Sequence, residues 1–133
     1  MSHVPSPNTI VVTVPADTVY LRHLRVVAAT VADDAGFDVE RIESLRVSID
    51  ELCALAMADA ADGATLTLTL GATDTAVELQ GRCGPVTADP VIDPIAVQLL
   101  AAGASHHELH RDGDDCVFLL RADRPDVGAS GAR

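Results

Sequence analysis

The chain has 133 residues, a formal net charge of -11 and 48% hydrophobic residues. That length suits one ordinary domain, and that apolar content is enough for a real core. So acidic a surface repels phosphate backbones and argues against nucleic acid as a direct partner. It suits a basic protein partner, and it serves solubility equally well.

Aromatic residues make up only 2% and tryptophan is missing, so the core must be built from Ala, Val, Leu and Ile. All nine basic residues are arginine. Cys53, Cys83 and Cys116 are odd in number, widely spaced and free of any CxxC pairing. No charged-then-apolar leader opens the sequence, and no apolar run is long enough to span a bilayer. The expectation is a reduced, cytoplasmic protein without a membrane segment.

Residues 1–8 hold two prolines and no periodicity, which predicts a flexible start. "NTIVVTVP" is a β-branched run closed by Pro15 and predicts a strand. "ADTVYLRHLRVVAATVADDAG" predicts a helix capped by Asp17. Leu24, Val27, Ala28 and Val31 recur at helical steps, and Gly36 stands where a C-terminal cap belongs. "FDVERIESLRVSIDELCALAMADAADG" predicts a second helix capped by Asp38 and ended by Gly63. Its apolar stripe is Ile42, Leu45, Ile49, Leu52, Cys53, Ala56 and Ala60.

"ATLTLTLG" alternates Leu66, Leu68 and Leu70 with Thr65, Thr67 and Thr69, the pattern of a half-buried strand. "DTAVELQGR" follows a tight turn and completes a hairpin. "GPVTADPVIDP" reads as a proline-rich loop, and "DPIAVQLLAAGA" as a short third helix with Asp93 at its cap. "SHHELHR" and "DCVFLLRA" predict two closing strands joined at "DGDD". Residues 123–133 contain Pro125, Gly128 and Gly131 and predict a disordered tail, leaving a domain over residues 9–122. The order β-α-α-β-β-α-β-β predicts an α+β, two-layer α/β sandwich: a mixed, mostly antiparallel sheet with helices on one face.

With its element order and "LRVSIDELCALAMADA" in the second helix, the sequence resembles the anti-sigma regulatory factors, which carry a histidine-kinase-like ATPase (GHKL) domain. Leu45, Arg46, Ile49, Asp50, Glu51 and Cys53 fall on that family's helix pattern, and the resemblance covers residues 10–122. It implies a GHKL fold, an ATP and Mg²⁺ site, a sigma-factor partner, release by a STAS-type anti-anti-sigma protein, and homodimers. It also implies a role in transcription regulation and stress response.

The departures from the family's pattern fall on the nucleotide site. The position matching the family's Mg²⁺-binding asparagine is Leu55, which offers no oxygen ligand. "GRCGPV" stands where the first glycine box is expected, so Gly81 replaces the adenine-recognising aspartate and Gly84 is out of register. Residues 86–104 show no second glycine box, although phosphates are ordinarily held by consecutive backbone amides. Glu51 is thus expected to be a vestigial catalytic base. Glu51, Leu55, Gly81 and Gly84 mark a degenerate cofactor site, and no cofactor is expected unless ATP and Mg²⁺ bind weakly. Asp50 is expected to face solvent or to pair with Arg46.

Two other constellations could carry chemistry. "HHELH" is one residue short of HExxH. On a strand, His106, Glu108 and His110 would share one face, but same-face neighbours about 7 Å apart seldom converge on one ion. No metal site is expected. Cys53 reads as a small core residue, while Cys83, in a loop, could be reactive. The sequence reading is therefore an anti-sigma-like regulator that binds protein. The alternatives are a divergent ATP-dependent serine/threonine protein kinase, or a small interaction module unrelated to sigma-factor control.

Overall fold

The computed structural model describes residues 9–125. Alternation in the segment Ala60–Ala72 (β2) decides which way the sheet faces. Leu66, Leu68 and Leu70 are fully buried, while Thr65, Thr67 and Thr69 point away from the core. The next strand, Ala76–Val86 (β3), buries Val77, Leu79 and Cys83 on the same side. The hairpin between them turns at Thr73, whose hydroxyl accepts from the backbone N–H groups of Thr75 and Ala76.

The remaining strands are β1 (Ile10–Pro15), β4 (His106–Asp112) and β5 (Asp115–Asp123). The five lie in the order β1-β2-β3-β5-β4, and every pairing is antiparallel. The sheet is thus wholly antiparallel rather than mixed. Two of the four pairs, β2–β3 and β4–β5, are hairpins, while β1–β2 and β3–β5 are joined by connections that carry helices.

Three helices cover one face: α1 (Leu21–Asp34), α2 (Val39–Met57) and α3 (Pro94–Gly103). A short 3₁₀ turn, Thr18–Tyr20, leads into α1, and the Asp17 carboxylate accepts from the N–H of Val19. Asp38 and Asp93 cap α2 and α3, accepting from the N–H groups of Arg41 and Ala96 at 2.8 Å each. Leu24, Leu45, Ile49, Leu52 and Cys53 meet Leu66, Leu68, Leu79 and Leu120 in one core. The architecture is a two-layer α+β sandwich with the other sheet face uncovered. Among the described residues, no helix is long and apolar enough to cross a membrane.

Two expectations about element boundaries are corrected. The second helix stops at Met57, not at Gly63. Ala60 is already in β2, paired opposite Val86, and the register then shifts between Ala60 and Thr65. Alanine favours helix, but pairing with β3 overrides that weak preference. Gly63 lies in this irregular stretch at φ +80, a conformation that glycine adopts without steric cost. Residues 81–86, read as a damaged glycine box and the start of a loop, instead lie inside β3.

The structure also continues past Ala122. Asp123 closes β5, its carbonyl accepts from Arg41 at 2.7 Å, and Arg124 donates to the carbonyls of Ala35 and Thr73. The expected flexible start at residues 1–8 lies outside the described residues, as does the expected tail over residues 126–133.

Gly81 fits because Phe118 lies across it. A Cβ added at Gly81 would come within 2.0 Å of the Phe118 ring. An aromatic side chain covering a cross-strand glycine replaces the packing that glycine lacks. Gly81→Ala is therefore expected to destabilise the fold by about 1–3 kcal/mol. A lowered urea midpoint checks this, and an unchanged midpoint would refute the role given to Phe118.

Candidate functional site

The site implied by the sequence is built on α2. Ser44, Ser48, Glu51 and Leu55 recur at steps of four, three and four residues, so they share one helix face. That face meets α3. Ser48 is fully buried. Its hydroxyl proton is directed at the carbonyls of Leu99 (3.0 Å) and Leu100 (2.9 Å), and its oxygen accepts from the N–H of Gly103 at 2.8 Å.

At Gly103 the two backbones come so close that an added Cβ would lie 2.3 Å from the Ser44 carbonyl oxygen. Gly103 lies by Ser44, and Leu99 and Leu100 lie by Ser48, so the helices run antiparallel. Glu51 and Leu55 then fall one and two turns further along, towards the start of α3, and both are half-buried.

Ser48 does the work of a helix cap. The last carbonyls of any helix lack internal partners. The residue that ends α3, Ala104, is extended (φ -116, ψ 134), so the common left-handed cap is missing. Ser48 supplies hydrogen bonds there from the neighbouring helix.

Gly81 and Gly84 are not part of an open loop. Gly81 pairs with Leu68 on one side and Phe118 on the other, and Gly84 pairs with Thr65. The place of a Gly84 side chain is taken by the carboxylate of Asp115, which an added Cβ would meet at 1.7 Å. That carboxylate accepts from Arg82 at 2.7 Å. A phosphate cradle needs several free, consecutive N–H groups, whereas the β3 backbone here is laddered to β2 and β5.

Asp50 neither faces solvent alone nor pairs with Arg46, as the sequence reading expected. Its two carboxylate oxygens accept from Arg25 Nε of α1 at 2.8 and 2.9 Å, and Arg46 pairs with Glu43. Only the packing of α1 on α2 brings Arg25 there. Among the described residues, Glu51 has no hydrogen-bonded or ionic partner.

His106, Glu108 and His110 do share one exposed face of β4, and His106 Nε2 lies 2.8 Å from Glu108 Oε2. Among the described residues, no three His, Cys, Asp or Glu side chains are grouped to hold a metal. This face belongs to an open groove of about 610 Å³ on the uncovered side of the sheet. Thr67, Thr69, Gln80, Arg82, His110 and Leu119 are among its lining residues. The arginine that lines it is already held, since Arg82 is clamped by Asp112 and Asp115.

Cys83, expected in a loop, is buried in β3 directly opposite Cys116. Burial is the main cause that pushes the Cys83 thiol up to about 11, helped by Cys116 and Asp115. Burial, then the charge of Asp50 and the neighbouring Cys83, pushes Cys53 up to about 12. These are core thiols, not nucleophiles.

The residues that sequence reasoning missed are Ser48 and Gly103. One signal for them was a polar residue bordering the apolar stripe of α2. Another was a glycine at the end of a helix whose remaining residues are apolar.

Three outcomes are expected. Ser48→Ala strands the end of α3 and is expected to cost about 1–3 kcal/mol in urea unfolding. The thiols should resist a thiol reagent in the native protein at neutral pH and react once the chain is unfolded. Because Cys53 and Cys83 are raised above their ordinary 9.0, the unfolded chain ionises first. Stability is then full below pH 9.0 and falls as pH rises towards the folded values. Urea midpoints measured across that range check the sign. No protein-family model and no curated protein sequence matches the chain.

Proposed function

We propose that the chain is an anti-sigma-factor-like regulatory protein that acts by binding other proteins in the cytoplasm: a sigma factor, a STAS-type antagonist, or both. In this reading its domain is a GHKL fold whose nucleotide site has degenerated, and it performs no phosphoryl transfer. The element order and the one-sided helix layer support the fold assignment.

One observation carries the loss of nucleotide chemistry. The α2 face bearing Glu51 and Leu55 is joined directly to α3 through Ser48 and Gly103. A phosphoryl-transfer site needs metal ligands and a phosphate cradle around the reacting group. Leu55 provides no oxygen, and Gly81 and Gly84 are committed to strand pairing. A protein-binding role needs only a surface, and the surplus of carboxylates gives that surface a preference for basic partners.

The test is titration of a fluorescent ATP analogue in the presence of Mg²⁺. No saturable binding is expected. Affinity in the roughly micromolar range, lost in Glu51→Ala, would replace this reading with a divergent serine/threonine kinase. In a parallel pull-down, the tagged chain should recover a sigma factor or a STAS-domain protein. Recovery of neither would favour an interaction module outside sigma-factor control.

A further inference from the structure

The three cysteines are buried and free, although they come from helix α2 and strands β3 and β5. Cys83 and Cys116 are Cα partners in the β3–β5 ladder. Both belong to the core on the helix-covered face of the sheet, Cys83 with Leu79 and Cys116 with Phe118 and Leu120. Directly opposite residues of an antiparallel pair have Cα atoms about 4.5 or 5.5 Å apart, depending on the hydrogen-bonding site. Both spacings fall inside the range of roughly 4.4–6.8 Å that a disulfide spans. Opposite Cβ atoms, about 4.5–5.5 Å apart, need only a small approach to the roughly 3.5–4.5 Å of a disulfide. Cys53 stands in the other layer, on α2, and has no ladder partner.

The pair closes the β3–β5 register. Just beyond it Pro85 has no N–H to donate, and one backbone bond follows, from the N–H of Val86 to the Asp114 carbonyl at 2.7 Å. Such ends open more readily than the middle of a ladder. Arg111, the β4 partner of Cys116, stands at this end. Its guanidinium donates to the carbonyls of Gly113 and Val86 at 2.9 and 3.2 Å and pairs with Asp89 at 3.3 Å. Asp89 is 81% exposed, so this clasp is weak. Burial pushes the Cys116 thiol up, and the charge of Arg111 opposes that effect. At Cys83, by contrast, Cys116 and Asp115 add to the effect of burial. Cys116 is therefore the thiol placed to ionise first when this end opens.

We propose that Cys83 and Cys116 are an oxidisable pair, which a hydroperoxide joins into a cross-strand disulfide. Opening of the ladder end lets hydrogen peroxide reach Cys116. Its thiolate attacks one peroxide oxygen, the O–O bond breaks, and the departing hydroxide takes up the thiol's proton to become water. The Cys83 sulfur then attacks the resulting sulfenic acid, and its proton leaves with the expelled hydroxyl as a second water. Two thiols and one hydrogen peroxide thus give one disulfide and two waters. Bulky thiol reagents stay excluded from the native protein, because peroxide needs a much smaller opening.

The disulfide ties β3 to β5 and encloses α3 and β4 in a covalent loop. A cross-link of this kind restricts the unfolded chain, so the oxidised form is the more stable one. Cys53 is left over and stays reduced in the helix layer. The inference goes beyond the proposed function and rests on none of its partners.

The test treats the full native chain with hydrogen peroxide, alkylates the remaining thiols in urea, and maps linkages by mass spectrometry after proteolysis. The expected product links Cys83 to Cys116 and leaves one alkylated thiol where the untreated protein has three. Its urea midpoint is raised, and a reductant added in urea reverses the change. Cys53→Ala should form the same link, and Cys116→Ala should form none. Mapping in the wild type decides the matter even where an alanine variant unfolds. Three free thiols after treatment of the native protein would overturn the inference. So would a link to Cys53, a link between two copies, or a link that forms only in urea. A Cys116 sulfinic acid beside a free Cys83 would do the same, because the second sulfur would then be out of reach. A linked form with an unchanged or lowered urea midpoint would overturn the stabilising role of the disulfide.

Discussion

A single buried hydroxyl joins the two helices on which the proposed function turns. Ser48 reaches from α2 to the carbonyls of Leu99 and Leu100 and receives the N–H of Gly103. Without it, the carbonyls of Leu99 and Leu100 would lose this partner at a helix end that already lacks the usual left-handed cap. Burying such groups unpaired is costly, so the serine and the close approach at Gly103 require one another. Together they hold α3 against α2 at one end, leaving its other side facing outwards. The burial of Leu100 and the exposure of Ile95 follow from the same seam.

The glycines of β3 show how one residue type can serve opposite ends. In an open loop, glycine frees backbone amides to approach a phosphate. In β3 the same residue makes room for a neighbour: the Phe118 ring at Gly81 and the Asp115 carboxylate at Gly84. Asp115 in turn helps Asp112 to clamp Arg82, so the space left by one glycine becomes an ion-pair network on the open face of the sheet.

Charge is distributed with similar economy. The arginines are mostly placed beside acids or carbonyls, tying α1 to α2, β3 to β4 and β5, and the end of β5 to the start of α2. Such exposed pairs contribute little stability each. Their larger consequence is that some acids are left without a cation, and among the described residues Glu51 is one of these.

The sequence by itself determined the element order, the alternating faces of β2 and the caps at Asp38 and Asp93, because these depend on neighbours a few residues away; Asp17, expected to cap α1, caps the 3₁₀ turn before it instead. It also carried the absence of an oxygen ligand at Leu55. Only the tertiary structure decided the rest. The helix expected through Ala60 became strand because Val86 lies opposite it. The acid expected to pair within its own helix met Arg25 instead, and Cys83 moved from a loop to the core beside Cys116. Ser48 acquired its role from a segment more than fifty residues away. Local periodicity records which face of an element is apolar, but not which distant backbone will lie against it, and that distant contact closes α3 onto the helix of Glu51.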